Sequence, residues 1–87
     1  MNIWEKRRLR LLHELRQRGD GVLELAAAAL NLDPDGPVFS YLKQELKTKR
    51  EIELVDVPDG IDQELYRVTS KGDDNLLAAG DEIFNDN

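Results

Sequence analysis

The hydrophobic period of this chain changes once, near residue 50, and that change restricts its possible folds more than any other feature. Before it, apolar residues recur at helical spacing in three segments; after it they alternate as in a strand. The first segment covers about Asn2 to Arg18. Asn2 is a plausible N-cap with Glu5 three residues on, as in a capping box. At 100° per residue Trp4, Leu11, Leu12 and Leu15 share one face, with Lys6, Arg10, His13 and Gln17 opposite. Arg8 falls inside the apolar sector, where its stem is expected to lie along the surface with its charge in water. Gly19-Asp20-Gly21 stops the helix, and Gly19 suits a left-handed C′ position.

The second segment, Leu23 to Leu32, is alanine-rich and apolar on most sides, so a short and largely buried helix is expected. Asn31 to Pro37 is dense in turn formers and ends it. The third segment runs from Pro37, a good first-turn residue, to about Lys49. Val38, Phe39, Leu42 and Leu46 form its core stripe, while Ser40, Tyr41, Gln44, Lys47 and Thr48 project elsewhere. Glu51 to Val57 then alternates and reads as a strand. Leu65 to Thr69 reads as its partner, with a loop around Pro58 to Gln63. Ser70-Lys71-Gly72 is expected to leave the hairpin, Asp73 to Ala79 to make one or two helical turns, and Gly80 to stop them. One domain, residues 1–80, and an acidic tail, residues 81–87, expected to fray, account for all 87 residues.

Composition narrows the chemistry. There is no cysteine and only one histidine. Disulfides, thiolate metal sites, cysteine nucleophiles and histidine-based triads are therefore removed or made improbable on chemical grounds. The carboxylates show no catalytic spacing, and Asp33/Asp35 and Asp73-Asp74 match no EF-hand loop. The expectation is a protein that is not an enzyme, with no catalytic residues, metal or cofactor. His13 reads as a surface histidine. No apolar run reaches the roughly 18 residues of a membrane span and no targeting segment is visible, so a cytoplasmic, nucleoid-associated location is expected.

Three helices followed by a two-stranded hairpin, an α+β arrangement, resemble a winged helix-turn-helix domain. Val22-Leu23-Glu24-Leu25-Ala26-Ala27-Ala28-Ala29-Leu30-Asn31-Leu32 looks like that family's second helix, often hydrophobic-x-Glu-Leu-Ala-x-x-Leu-x-Leu. Val38 to Leu46 resembles its recognition helix, and Ile52-Glu53-Leu54-Val55 the strand entering the wing. Leu65 to Gly72 is similar to the return Tyr-x-Leu-Thr-x-x-Gly of many bacterial and archaeal regulators. The chain departs from the pattern in a long, two-proline turn between helices 2 and 3, and in Lys49-Arg50-Glu51, where the family often has a glycine. The resemblance implies three helices, a hairpin wing and a short C-terminal helical turn, with helix 3 in the major groove of double-stranded DNA, as in a small transcriptional regulator.

On that reading Ser40, Tyr41, Lys43, Gln44, Lys47, Lys49 and Arg50 read or anchor DNA. Gln44 can pair bidentately with adenine, Lys43 or Lys47 can meet guanine or phosphate, and Tyr41 can reach a phosphate or a thymine methyl. Lys6, Arg7, Arg10 and Arg67 are possible phosphate contacts. The net charge of −6 argues against nucleic acid only as an average. Residues 1–50 hold 10 Lys+Arg against 7 Asp+Glu, and residues 51–87 hold 2 against 11. Asp56, Asp59, Asp62 and Glu64 surround the wing tip, which makes the wing a poor contact for DNA phosphates. The alternatives are a protein-interaction module whose acidic wing and tail bind a basic partner, a mimic of DNA, or a high-salt cytoplasm as the source of the acidity. Trp4 and Leu76-Leu77 either pack together within one monomer or form a homodimer interface.

Overall fold

The computed structural model describes residues 1–85. Helix α1 spans Ile3–Gln17, α2 Leu23–Ala29 and α3 Pro37–Thr48; strands β1 (Ile52–Val55) and β2 (Leu65–Val68) follow, then α4 (Ser70–Ala79) and a 3₁₀ turn, Gly80–Phe84. The fold is α+β, with four helices and one two-stranded antiparallel sheet.

The ends of the first three helices follow from local chemistry. Asn2 caps α1, its side-chain oxygen accepting from the Glu5 amide at 2.9 Å. All three helices close alike: the C′ residue adopts positive φ and the next amide turns back to a carbonyl five residues earlier. Asp20 N–H reaches Leu15 O after Gly19, Leu32 N–H reaches Ala27 O after Asn31, and Glu51 N–H reaches Leu46 O after Arg50. Glycine and asparagine tolerate this conformation, but Arg50, at φ 57°, bears a Cβ penalty. Arg50→Gly is therefore expected to stabilise the fold by about 1 kcal/mol, raising Tm by roughly 4–8 °C in a calorimetric or circular dichroism melt. An unchanged or lower Tm would count against this strain.

The core is built from Leu9, Leu11, Leu12 and Leu15 of α1, Leu23, Ala26 and Ala27 of α2, and Phe39, Leu42 and Leu46 of α3, closed by Ile52, Tyr66, Val68 and Ile83. Each buried large apolar side chain contributes about 1.5–3 kcal/mol of transfer free energy. Two expectations for α1 change. Trp4 is 41% exposed and lies outside the core. Lys6, assigned to the polar face, is buried; its ammonium donates to the Asn85 carbonyl at 3.0 Å. Helix α2 buries one face only: Leu25, Ala28 and Ala29 are exposed, so the expectation of a largely buried helix fails. It also stops at Ala29, because the left-handed Asn31 turns the chain there.

The hairpin pairs Ile52 with Val68, Glu53 with Arg67, Leu54 with Tyr66 and Val55 with Leu65. Both strands are shorter than the alternation suggests. Glu51 belongs to the cap of α3, and Thr69 to the cap of α4, its hydroxyl accepting from the Gly72 amide at 3.1 Å. Ser70-Lys71-Gly72 is thus the first turn of a ten-residue helix rather than an exit loop. The segment after it forms the 3₁₀ turn Gly80–Phe84, with Ile83 only 2% exposed; residues 86 and 87 of the tail lie outside the described residues. Gly21 bridges to β2 from outside the hairpin, exchanging two 2.8 Å backbone hydrogen bonds with Tyr66. The Asp20 carboxylate beside it accepts from the Val68 amide at 3.1 Å.

Candidate nucleic-acid interface

Helix α3 buries Phe39, Leu42 and Leu46, and this rotation leaves Ser40, Gln44 and Lys47 on one exposed stripe. Gln44 donates to the Thr48 hydroxyl at 3.2 Å, one turn on. Lys49 and Arg50 follow the last turn and both are exposed; Lys49 turns away from the stripe and lines a groove with Tyr41, Glu45 and Arg8. Tyr41 flanks the stripe at 48% exposure, edge-on to Trp4 with ring centroids 5.2 Å apart. The Arg7 guanidinium covers the Trp4 ring at 5.2 Å. A hydrogen bond to Glu45, together with that carboxylate's charge, holds the Tyr41 phenol above its ordinary pKa.

Lys43 stands apart from the stripe. Its ammonium lies 3.3 Å from Glu64 and 3.7 Å from Glu24, and 5.4 Å from the Tyr66 ring centre. Burial pulls its pKa down, but Tyr66, Glu64 and Glu24 outweigh that, and the net shift is upward. Lys43 thus ties α2 and the root of the wing to α3, with its charge already matched by two carboxylates. Burial raises the Tyr66 phenol, against the opposing pull of Lys43. Its buried hydroxyl meets no hydrogen-bond partner among the described residues.

The other cations are dispersed. Lys6 is buried, Arg10 is half-buried beside Leu30, Leu32 and Val38, and Arg67 is bound across the hairpin to Glu53 at 2.6 Å. Arg16 pairs with Asp73 at 3.2 Å and Arg18 with Glu14 at 3.4 Å. Ser40, Gln44 and Lys47 therefore share one exposed face of α3, with Lys49 and Arg50 exposed past its end; Lys43, Lys6 and Arg67 do not join them. At the wing, Asp56, Asp59 and Asp62 are exposed, as are Leu54 and Ile61.

Trp4 packs on Tyr41 and Arg7, whereas Leu76 rests partly buried on the core and Leu77 is 81% exposed. His13 is half-buried, edge-on to Phe84 at 5.0 Å, so it is less exposed than its position on the helix suggested. Two arrangements escaped sequence reasoning. One is the placement of Lys71 beside the end of α3, which Thr69 as an N-cap would have signalled. The other joins Arg8, Glu51 and Asn75 around one buried carboxylate, and its long separations left no local signal.

Among the described residues no three His, Asp or Glu side chains gather as a metal site would require, and no helix is long and apolar enough to cross a membrane. Comparison with protein-family models, curated proteins and solved structures finds no match to this chain.

Proposed function

We propose that the chain binds double-stranded DNA sequence-specifically, as a small transcriptional regulator of winged-helix layout that presents α3 to the major groove. The observation that carries this reading is the composition of the exposed positions of α3 and its cap. In a chain with 18 acidic residues, the exposed positions from 37 to 50 are Pro37, Ser40, Tyr41, Gln44, Lys47, Thr48, Lys49 and Arg50, without one carboxylate. Such a surface combines base-edge readers with phosphate anchors. The order of three helices and an antiparallel hairpin is compatible with the layout.

A duplex selected from a random library provides the probe. Lys47→Ala is expected to weaken binding to all duplexes and to lower the salt slope by about 1. Gln44→Ala is expected to relax preference at one base pair, at about 1–3 kcal/mol of discrimination. Absence of duplex binding by the unaltered protein at about 50 mM salt, where phosphate contacts are strongest, would sink the proposal.

The acidic wing supports a second reading, in which Asp56, Asp59 and Asp62 beside exposed Leu54 and Ile61 receive a basic protein partner. Duplex binding left intact when the three aspartates become asparagine would separate the two surfaces. A homodimer would use the apolar face around Leu77 and Phe84, which are 81% and 47% exposed, and sedimentation equilibrium tests it.

A further inference from the structure

Three exposed cations that make no ion pair among the described residues, Lys49, Arg50 and Lys71, stand where α3 ends and α4 begins. The Thr69 hydroxyl donates to the Arg50 carbonyl at 2.6 Å, and the Thr69 amide donates to the Glu51 carbonyl at 3.0 Å. These two bonds seat the first turn of α4 directly on the cap of α3. Lys71, in that turn, and Lys49, at the end of α3, line one surface groove together with Arg8, Asn75 and Glu82. Lys49, Arg50 and Lys71 are exposed, and none makes an ion pair among the described residues. The N-terminal end of α4 adds the positive pole of its dipole to the same place.

Of the acids nearby, Glu82 lines the same groove and lies 4.0 Å from the N-terminal ammonium, Asp73 in the first turn of α4 pairs with Arg16, Glu5 and Glu45 line the adjoining groove with Lys49, and Asp74 follows Lys71 by three residues. At the wing the balance is opposite: Arg67 is matched by Glu53, while Asp56, Asp59 and Asp62 face solvent. A polyanion lying along α3 is therefore repelled at the wing tip and attracted at the α3–α4 junction.

We propose that Lys49, Arg50 and Lys71 form a second contact to the phosphodiester backbone of duplex DNA, so that the first turn of α4, rather than the wing tip, anchors the strand beside α3. This inference rests on the DNA reading above and adds Lys71 and α4 to it.

The test is fluorescence anisotropy with a labelled duplex of about 30 base pairs, roughly three helical turns, titrated over a salt series. Each phosphate contact contributes about 0.9 to the slope of log affinity against log salt. Lys71→Ala is expected to lower the slope by about that amount, so that raising salt from about 50 to 200 mM costs the variant roughly threefold less affinity than it costs the unaltered protein. Lys49→Ala combined with Arg50→Gly is expected to lower it by about two such steps. Glycine at position 50 suits the positive φ, so this pair keeps the fold while removing two charges. Arg18→Ala, an equal charge change at the far end of α1, should leave the slope unaltered, and thermal melts check that every variant is folded.

A Lys71→Ala slope equal to that of the unaltered protein, in a protein that binds the duplex, overturns the α4 contact and leaves the α3 reading standing. An equal drop in Arg18→Ala also overturns it, because the effect would then be one of net charge. Failure of the unaltered protein to bind the duplex overturns both readings together.

Discussion

Glu51→Ala is expected to cost about 3–5 kcal/mol of folding stability, the loss that follows when one partner of a buried ion pair is removed. Glu51 is fully buried. One carboxylate oxygen accepts from Arg8 Nε at 2.8 Å, and the other accepts from Asn75 Nδ2 at 2.8 Å and from Arg8 Nη2 at 3.5 Å. Its backbone is equally committed, donating to Leu46 and accepting from Thr69. Truncation leaves the Arg8 guanidinium, whose side chain is only 13% exposed, without its countercharge. For a small domain with about 5–15 kcal/mol in total, this is a large fraction of the whole. Urea unfolding would show it as a lower midpoint with an unchanged slope. Arg8→Met with Glu51→Leu should recover much of the loss, because an apolar pair of similar volume carries no desolvation penalty. A single Glu51→Ala variant within about 1 kcal/mol of the parent would contradict the role assigned to this pair.

The first three helices were legible because their signals are local. Asn2 with Glu5, Gly19, and Pro37 each mark an end through chemistry confined to a few residues, and the structure places the ends within two residues of the reading. The exception is α2, read to Leu32 and ending at Ala29. A short alanine run carries little contrast between faces, so neither its length nor its exposure could be read from pattern. The strand ends failed for another reason. Glu51 and Thr69 both continue the alternation, but the Glu51 amide is taken by the Leu46 carbonyl at the end of α3, so their pair keeps one hydrogen bond, from the Thr69 amide to the Glu51 carbonyl, and the Thr69 hydroxyl caps α4. In the acidic segment after Gly80 the composition hides one core residue, Ile83, which is buried within the 3₁₀ turn.

The candidate surface was legible in part for a similar reason. Ser40, Gln44 and Lys47 share a stripe by helical spacing alone, and the structure keeps it exposed. Lys43 has the same chemistry and nearly the same spacing, but Glu24 and Glu64, about 20 residues away in either direction, claim its charge. Arg67 is lost to Glu53 through a strand register that the short pairing fixes. Charge in the sequence thus overstates charge available to a partner, and the split between the basic and acidic halves sharpens once the matched pairs are set aside. What remains unmatched on the positive side sits largely at the end of α3 and the start of α4.

Gly72 shows what holds those two ends together. It lies in the first turn of α4, and its φ is not in the positive region that would by itself demand glycine. The demand is one of space. A Cβ at this position would lie 2.5 Å from the Glu51 carbonyl oxygen and 2.8 Å from Val68 Cγ1, and the first of these is backbone that cannot rotate away. Gly72→Ala must push α4 off the α3 cap, at about 1–3 kcal/mol or more for overpacking, and Tm should fall by roughly 4–8 °C per kcal/mol. It should also weaken duplex binding at temperatures where the variant is folded, because Lys71 moves with the helix. Lys71→Ala should show the complementary pattern: weaker binding, with stability within about 0.5 kcal/mol of the parent, as for an exposed surface position. A Gly72→Ala protein with parental Tm would mean that α4 can yield without strain. Parental binding in a destabilised but folded Gly72→Ala variant would mean that the position of Lys71 does not matter to the contact. The two measurements together therefore separate the packing role of this junction from its role in binding.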